Sequence, residues 1–317
     1  MNLSQLDRHT HRTMQFLAVA RAKSLHAAAR SLNLAQPSLT KSMAQLERLL
    51  GVPLFDRSAS GVTLTKYGQV LQKYAEELEA GLNHTEVELN YLRTGQAGTF
   101  RIAAGTVWLN LVFPKVAAAL QRHPGKPMLY CEASDAHSLD LLKRNGIDIL
   151  CGLAEPELEG HPNFAFDLKT RFPLCLVTRQ HHPLLRKTSD WEALAFAVQF
   201  PFVLLTQSLK TNGILKEALA ERGLPYPQIA MNTGSPLSMF TLVQETDFVG
   251  YAAYPLVKHA APKGIACLPL RSPVFQTAVG VQYRRSLQRV GLFNILMQEI
   301  DRALRDLSIS KPMQRRR

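Results

Sequence analysis

The chain has 317 residues, 46% of them apolar and 20% charged, with 18 glycines and 18 prolines spread thinly. That length exceeds one ordinary hydrophobic core and that usage is globular, so disordered, collagenous and low-complexity chains are excluded. An excess of 37 Lys and Arg over 25 Asp and Glu, net +12, points to polyanions without separating nucleic acid, acidic lipid and acidic small molecules. Its location is more informative. Residues 1–66 carry nine bases and three acids, net +6, and residues 67–93 carry two bases and five acids, net −3. Residues 94–317 carry 26 bases and 17 acids, with four of those bases in the last seven residues, Lys311 to Arg317.

The first segment reads as short helices. Met14–Ala20 places apolar residues on one face, and His26–Leu32 is rich in alanine, the best helix former. Asn33-Leu34-Ala35 interrupts the pattern, and a third helix opens at Gln36-Pro37, with proline in the first turn where its missing N–H costs nothing. Leu39, Met43, Leu46 and Leu50 form its inward stripe, while Gln36, Ser38, Thr40, Lys41, Gln45 and Arg48 make a polar face without acids. Gly51-Val52-Pro53 ends it, and residues 56–65 read as two short strands around a Ser/Gly turn. Two helices, a turn, a third helix and a hairpin make a winged helix-turn-helix over residues 1–65.

From Lys66 to about residue 94 the period changes. Leu71, Ala75, Leu78, Leu82, Thr85, Leu89 and Leu92 are spaced alternately by four and three, a seam sustained for about three heptads. A strict 3.5 period favours pairing with another helix over packing on its own domain alone, so dimerisation through Leu71, Leu78, Leu82, Leu89 and Leu92 is expected. Gly95-Gln96-Ala97-Gly98 then reads as a hinge.

Beyond it, continuous apolar strands alternate with helices, the pattern of an α/β chain with parallel sheets covered on both faces. Strands are expected at Phe100–Ala104, Met128–Glu132, Asp148–Gly152, Leu174–Val177, Phe202–Leu205, Gln228–Met231 and Phe248–Tyr251. Residues 95–310 suit two lobes, lobe I from about 98–170 and 270–307 and lobe II from about 171–269.

The four cysteines, Cys131, Cys151, Cys175 and Cys267, form no Cys-x-x-Cys pair and lie in apolar runs, so no disulfide framework is expected. His9-x-His11 and His181-His182 lack Cys or carboxylate companions, and no metal or cofactor is expected. His182-Pro183-Leu184 reads as a structural loop. Met1–Arg12 lacks the apolar core of a signal peptide, and the longest apolar run, Phe196–Leu205, is too short to span a bilayer. A cytoplasmic, reduced protein is expected. Nucleotide, hydrolase and zinc-protease motifs are missing, which argues against an enzyme.

Phe16-Leu17-Ala18-Val19-Ala20, Ala28-Ala29-Arg30-Ser31-Leu32, Gln36-Pro37-Ser38-Leu39-Thr40-Lys41, Leu49-Leu50-Gly51-Val52-Pro53-Leu54-Phe55-Asp56-Arg57 and Leu64-Thr65-Lys66-Tyr67-Gly68 together strongly resemble the N-terminal domain of LysR-type transcriptional regulators. The match is dense over about 12–92. The C-terminal resemblance is looser, in strand order and in Gly105-Thr106, Phe113-Pro114, Asp148-Ile149, His182-Pro183-Leu184 and Gly250-Tyr251. It implies an effector-binding domain that resembles a type 2 periplasmic solute-binding protein. The resemblance implies promoter binding as a dimer or tetramer, activation or repression, and RNA polymerase as a further partner. Two positions depart from the family: Ala35 stands where Ser or Thr often caps the recognition helix, and Thr40-Lys41 stands where Ser-Arg is frequent. Lysine lacks the bidentate fork of arginine, so the operator preference is expected to differ.

On this reading Gln36, Pro37, Ser38, Thr40 and Lys41 face base edges of double-stranded DNA, and Arg57 and Lys66 contact the backbone from the wing. Arg30 and Arg48 read as solvent or ion-pair residues, and the Arg315-Arg316-Arg317 tail as a solubilising end or a DNA contact. A small-molecule effector, a carboxylate or an aromatic, is expected at strand ends facing the cleft between lobes: Thr106, Val107, Trp108, Ser134, Thr206, Gln207, Ser208, Thr233 and Ser235. Each Ser or Thr taken singly reads first as a helix cap, their recurrence at one edge favours a shared pocket, and Trp108 reads as a pocket wall or a packing residue. A solute-binding protein, a DNA-binding protein without an effector and a two-lobed enzyme remain the alternatives.

Overall fold

A computed structural model describes residues 10–58, 61–94, 98–123, 127–206 and 209–307, without the side chains of 57–58, 83–84, 86–88, 90–94 and 209. The chain separates into two compact units, Met1–Glu86 and Val87–Arg317. The expected hinge at Gly95-Gln96-Ala97 and the tail from Lys311 to Arg317 lie outside the described residues.

The first unit contains helices α1 (Thr10–Ala22), α2 (Leu25–Ser31) and α3 (Gln36–Leu50), the hairpin β1 (Phe55–Ser58) and β2 (Gly61–Leu64), and α4, which runs from Lys66 to Thr94. Ser24 caps α2 by accepting from Ala27 N–H at 3.3 Å, and Gly51 ends α3 in the left-handed region at φ 69°. Phe16, Leu17, Leu39, Met43, Leu46 and Leu54 are almost fully buried together. Burying each such side chain stabilises the unit by roughly 1.5–3 kcal/mol. The wing is tied to α3 by one carboxylate: Glu47 Oε1 accepts from Leu54 N–H at 2.8 Å and from Phe55 N–H at 3.2 Å. The Thr65 hydroxyl donates to the Pro53 carbonyl at 2.7 Å and accepts from Gly68 N–H at 3.1 Å, which fixes the start of α4 against the wing. Gly68 is required there, because a Cβ would overlap the Leu54 carbonyl.

The start of α4 packs with the first unit rather than standing apart. Leu71 and Ala75 are buried in its core, and Arg21 pairs with Glu79 through two hydrogen bonds at 2.8 and 2.6 Å. Leu71 is thus taken up by its own domain and is not available to a partner. Leu78, Leu82 and Leu89 remain exposed, as do Tyr67, Val70 and Tyr74. Leu92 has no described side chain.

The second unit holds a nine-stranded mixed sheet. Its strands are β3 (Thr99–Ala104), β4 (Met128–Ala133), β5 (Ile149–Leu153), β6 (Phe164–Arg179), β7 (Phe202–Leu205), β8 (Ile229–Thr233), β9 (Val249–Ala253), β10 (Ile265–Pro269) and β11 (Gln276–Arg284). Their order is β4-β3-β5-β11-β6-β9-β7-β8, with β10 also on β6. Helices α5 (Phe113–Leu120), α6 (Ser138–Lys143), α7 (Asp190–Ala197), α8 (Leu209–Glu221), α9 (Pro236–Glu245), α10 (Tyr254–Ala260) and α11 (Gly291–Leu307) complete the unit.

The expectation of parallel sheets is corrected here to a mixed sheet. β3 is parallel to β4 and β5, and β7 to β8 and β9, but β11 is antiparallel to β5 and β6, and β6 to β9 and β10. The 16-residue β6 serves both lobes: Phe164–Pro173 pairs with β11, and Leu174–Val177 pairs with β9. The register with β11 shifts at Val279/Gly280, where a Cβ on Gly280 would overlap the Asp167 carbonyl. Lys169 on β6 bridges Asp167 at 2.8 Å and Asp301 on α11 at 2.7 Å.

Glu47→Ala is expected to leave two amides of the wing without their acceptor and to destabilise the first unit by roughly 1–3 kcal/mol. Hydrogen exchange at Leu54 and Phe55 in the full chain reads this directly; unchanged protection there would contradict the assignment.

Candidate functional site

The exposed end of α3 is built by its own first turn. Ala35 stands at the cap position with no side-chain hydrogen bond. Pro37 has no N–H, and the Ser38 and Leu39 amides both donate to the Ala35 carbonyl, at 3.0 and 3.2 Å. Of the four amides that a helix N-terminus leaves over, here Ala35 to Ser38, Pro37 has none and Ser38 is engaged, which leaves those of Ala35 and Gln36 for water or a phosphate. Gln36, Pro37, Ser38 and Lys41 are exposed and Thr40 is half-buried. The Thr40 hydroxyl donates to the Gln36 carbonyl at 2.9 Å, which leaves its oxygen to accept from a ligand. The Gln36 side-chain oxygen lies 3.3 Å from His26 Nδ1, so α2 orients it. Lys66 is exposed; the Arg57 side chain is outside the described residues. Glu47, the one acid in α3, is turned away into the wing.

In the second unit a cavity of about 380 Å³ opens where β6 passes between the lobes. From the first lobe it is lined by Gly105, Thr106, Val107, Trp108, Ser134, Asp135, Cys151, Leu153, Glu155 and Glu157; Phe172, Thr277 and Val279 line it from β6 and β11. Leu205, Lys210, Thr211, Ala253 and Leu256 close it from the second lobe. Its inner wall is held by backbone: Gly105 N–H donates to the Cys151 carbonyl and Ser134 N–H to the Ala104 carbonyl, each at 3.0 Å. Trp108 starts a π-helical turn, Trp108–Val112, and its ring centroid lies 6.3 Å from that of Phe113.

Two polar atoms on this wall have no hydrogen-bond partner: Thr106 Oγ1 and Trp108 Nε1, on side chains more than nine-tenths buried. Leaving such a buried polar group without a partner costs roughly 1–3 kcal/mol. Trp108 thus serves in both of its expected roles, as core packing and as cavity wall. At the mouth, Lys210 Nζ reaches across from α8 to Glu155 Oε2 at 2.6 Å and to the Ala154 carbonyl at 3.2 Å. Glu155 N–H in turn donates to Gln282 Oε1 at 2.7 Å. The Asp135 carboxyl is held below its ordinary range, chiefly by the His137 N–H, and burial pushes the Cys151 thiol up.

Of the residues expected at the effector site, Thr106, Val107, Trp108 and Ser134 line this cavity; Thr206, Thr233 and Ser235 do not. Ser235 caps α9 by accepting from Ser238 N–H at 3.2 Å, and Thr233 Oγ1 accepts from Ser235 N–H at 3.1 Å, so both hydroxyls are engaged locally. Thr206 is exposed, and Gln207 and Ser208 lie outside the described residues. Glu155, Phe172 and Lys210 escaped the sequence reading, because their only signal is a position on a loop, a crossing strand and a helix start. His182 Nδ1 accepts from Leu184 N–H at 3.1 Å, a turn-building contact. Among the described residues no group of three His, Cys, Asp or Glu stands where it could hold a metal.

Residues 12–69 match the family model for the bacterial regulatory helix-turn-helix protein, lysR family, and residues 93–305 match the LysR substrate binding domain. The chain belongs to the LysR family. It is a DNA-binding transcriptional regulator with an effector-binding domain, and regulators of this family oligomerise. The LysR regulator GbpR of Azospirillum brasilense is 28% identical over 282 residues, which is 88% of this chain and 78% of that one. PcaQ of Agrobacterium fabrum is 26% identical over 297 residues, 92% and 94% of the two chains. Among solved structures, full-length OxyR from Pseudomonas aeruginosa matches with a TM-score of 0.60 at 22% identity, over 92% of this chain and 94% of that one. Full-length CbnR in complex with its target DNA matches with a TM-score of 0.54 at 17% identity, over 93% and 99%. These likenesses establish the fold. The curated relatives are transcriptional regulators, and among the described residues no helix is long and apolar enough to cross a membrane.

Because Thr106 Oγ1 is unpartnered, Thr106→Val is expected to leave the ligand-free protein as stable as the parent or to stabilise it by up to about 1 kcal/mol. Thermal melts of the two proteins compare this; a loss of more than about 1 kcal/mol would show that the hydroxyl has a structural partner instead.

Proposed function

We propose that this LysR regulator reads DNA with the first turn of α3 in the major groove. Gln36, Pro37, Ser38, Thr40 and Lys41 face base edges, and Arg57 and Lys66 hold the backbone from the wing and the start of α4. The observation that carries this assignment is an exposed, acid-free face on α3 whose only carboxylate is tied inward to the wing. Lysine at position 41 contributes a point charge, so it supports affinity more than base discrimination.

Two copies pair along α4. The support is a stripe of exposed apolar side chains, Tyr67, Val70, Tyr74, Leu78, Leu82 and Leu89, that a lone chain leaves in water. We assign the working protein to the cytoplasm, where duplex DNA and RNA polymerase are met. A small molecule enters the cavity between the lobes, satisfies Thr106 Oγ1 and Trp108 Nε1, and favours one arrangement of the two lobes over another. Regulation is then a shift between arrangements that bind the effector unequally. Ser134 and Thr211 offer further polar contacts on the cavity wall.

Replacing Thr40 and Lys41 together by alanine is expected to weaken operator binding by roughly 1–3 kcal/mol while leaving the urea midpoint unchanged. A footprint identical to the parent's would remove these residues from the interface. Leu82→Asp, which places a charge in the exposed stripe, is expected to lower the mass found by light scattering; an unchanged mass would count against pairing along α4.

A further inference from the structure

We infer that the cavity between the lobes takes an uncharged ligand, with a compact apolar body and a neutral hydrogen-bond acceptor at its inner end, and discriminates against free carboxylates. This rests on the reading of the cavity as the effector site. It sets aside the carboxylate that the sequence suggested.

The charge balance of the wall carries the inference. Among the described lining residues Lys210 is the only cation, against three carboxylates, Asp135, Glu155 and Glu157. Lys210 is already engaged by Glu155 at 2.6 Å and by the Ala154 carbonyl at 3.2 Å. Glu157 is paired with Lys143, and Asp135 stays ionised through the His137 N–H and the Ser138 hydroxyl. A ligand carboxylate therefore meets no unpaired side-chain cation and one uncompensated anion. The apolar walls make that mismatch more costly than it would be in water.

The inner wall offers uncharged donors. Trp108 Nε1 can only donate, and Thr106 Oγ1 is also without a partner. An ammonium group at that end would set donor against the Trp108 N–H, whereas a carbonyl, amide or ether oxygen can accept from both groups. A phenyl-sized body fits within about 380 Å³ against Leu153, Phe172, Leu205 and Val279.

The test uses three probes of one shape: benzamide, benzoate and benzylammonium. The full chain is labelled with nitrogen-15 in its tryptophan indoles, of which there are two. Trp191→Phe assigns the Trp108 signal by elimination. In the unmodified chain benzamide is expected to shift the Trp108 indole resonance at a concentration about tenfold lower than benzoate, as one unfavourable charge contact implies, and lower than benzylammonium, whose N–H donors oppose the Trp108 N–H. Glu155→Gln frees Lys210 and is expected to raise benzoate affinity about tenfold relative to benzamide; adding Lys210→Met removes that gain. Benzoate binding the unmodified chain as well as benzamide, or better, overturns the inference while leaving the cavity as the effector site. No shift from any of the three probes overturns the cavity reading itself, and the inference with it.

Discussion

The second unit depends on one strand being long enough to belong to two lobes. β6 crosses from its pairing with β11 to its pairing with β9 between Pro173 and Leu174. Every residue of a strand is fixed by its neighbours' ladders, so the lobes are joined through a sheet rather than through a loose linker. The cavity lies at that crossing, with Phe172, Thr277 and Val279 as its floor. Small changes in how the lobes meet therefore register directly on the cavity walls, and on the Lys210–Glu155 contact that spans its mouth.

The first unit solves a different problem with similar economy. A wing of two four-residue strands buries too little to hold itself in place, and it is fastened by polar contacts at its ends: Glu47 on one side and Thr65 on the other. Both contacts also shape the surface of the unit. Glu47 turns the single acid of α3 away from the exposed face, and Thr65 aims α4. The first 66 residues thereby join a charge of +6 to an exposed α3 face without a carboxylate.

Much of the first unit was legible because its signals are local. Gln36-Pro37 and Gly51 bound α3 in sequence and in structure alike, and α4 follows from its heptads. The heptads did not reveal that α4 carries two apolar stripes. Leu71 and Ala75 face their own core, whereas Tyr67, Val70 and Tyr74, lying beside the leucine seam, share the exposed face with Leu78 and Leu82. Two such stripes overlap within one helical period and cannot be separated by spacing alone. In the second unit β6, β10 and β11 escaped detection or were read only in part. Asp167, Lys169, Arg171 and Pro173 break up the apolar run that marks a buried strand, and β11 pairs with residues more than 100 positions away. The residues proposed for the effector divided on the same ground. Thr106 and Ser134 followed from their strand ends, but the engagement of Thr233 and Ser235 in a cap, and the reach of Lys210 to Glu155, are facts of tertiary contact.

The salt dependence of duplex binding by the whole chain tests the α3 face most directly, because a face of this kind binds by displacing counterions from phosphates. With several bases of the first unit on the backbone, the logarithm of the binding constant is expected to fall linearly with the logarithm of salt, with a slope of about −4 or steeper for the dimer. A slope near zero on DNA fragments selected by the protein itself would contradict that assignment.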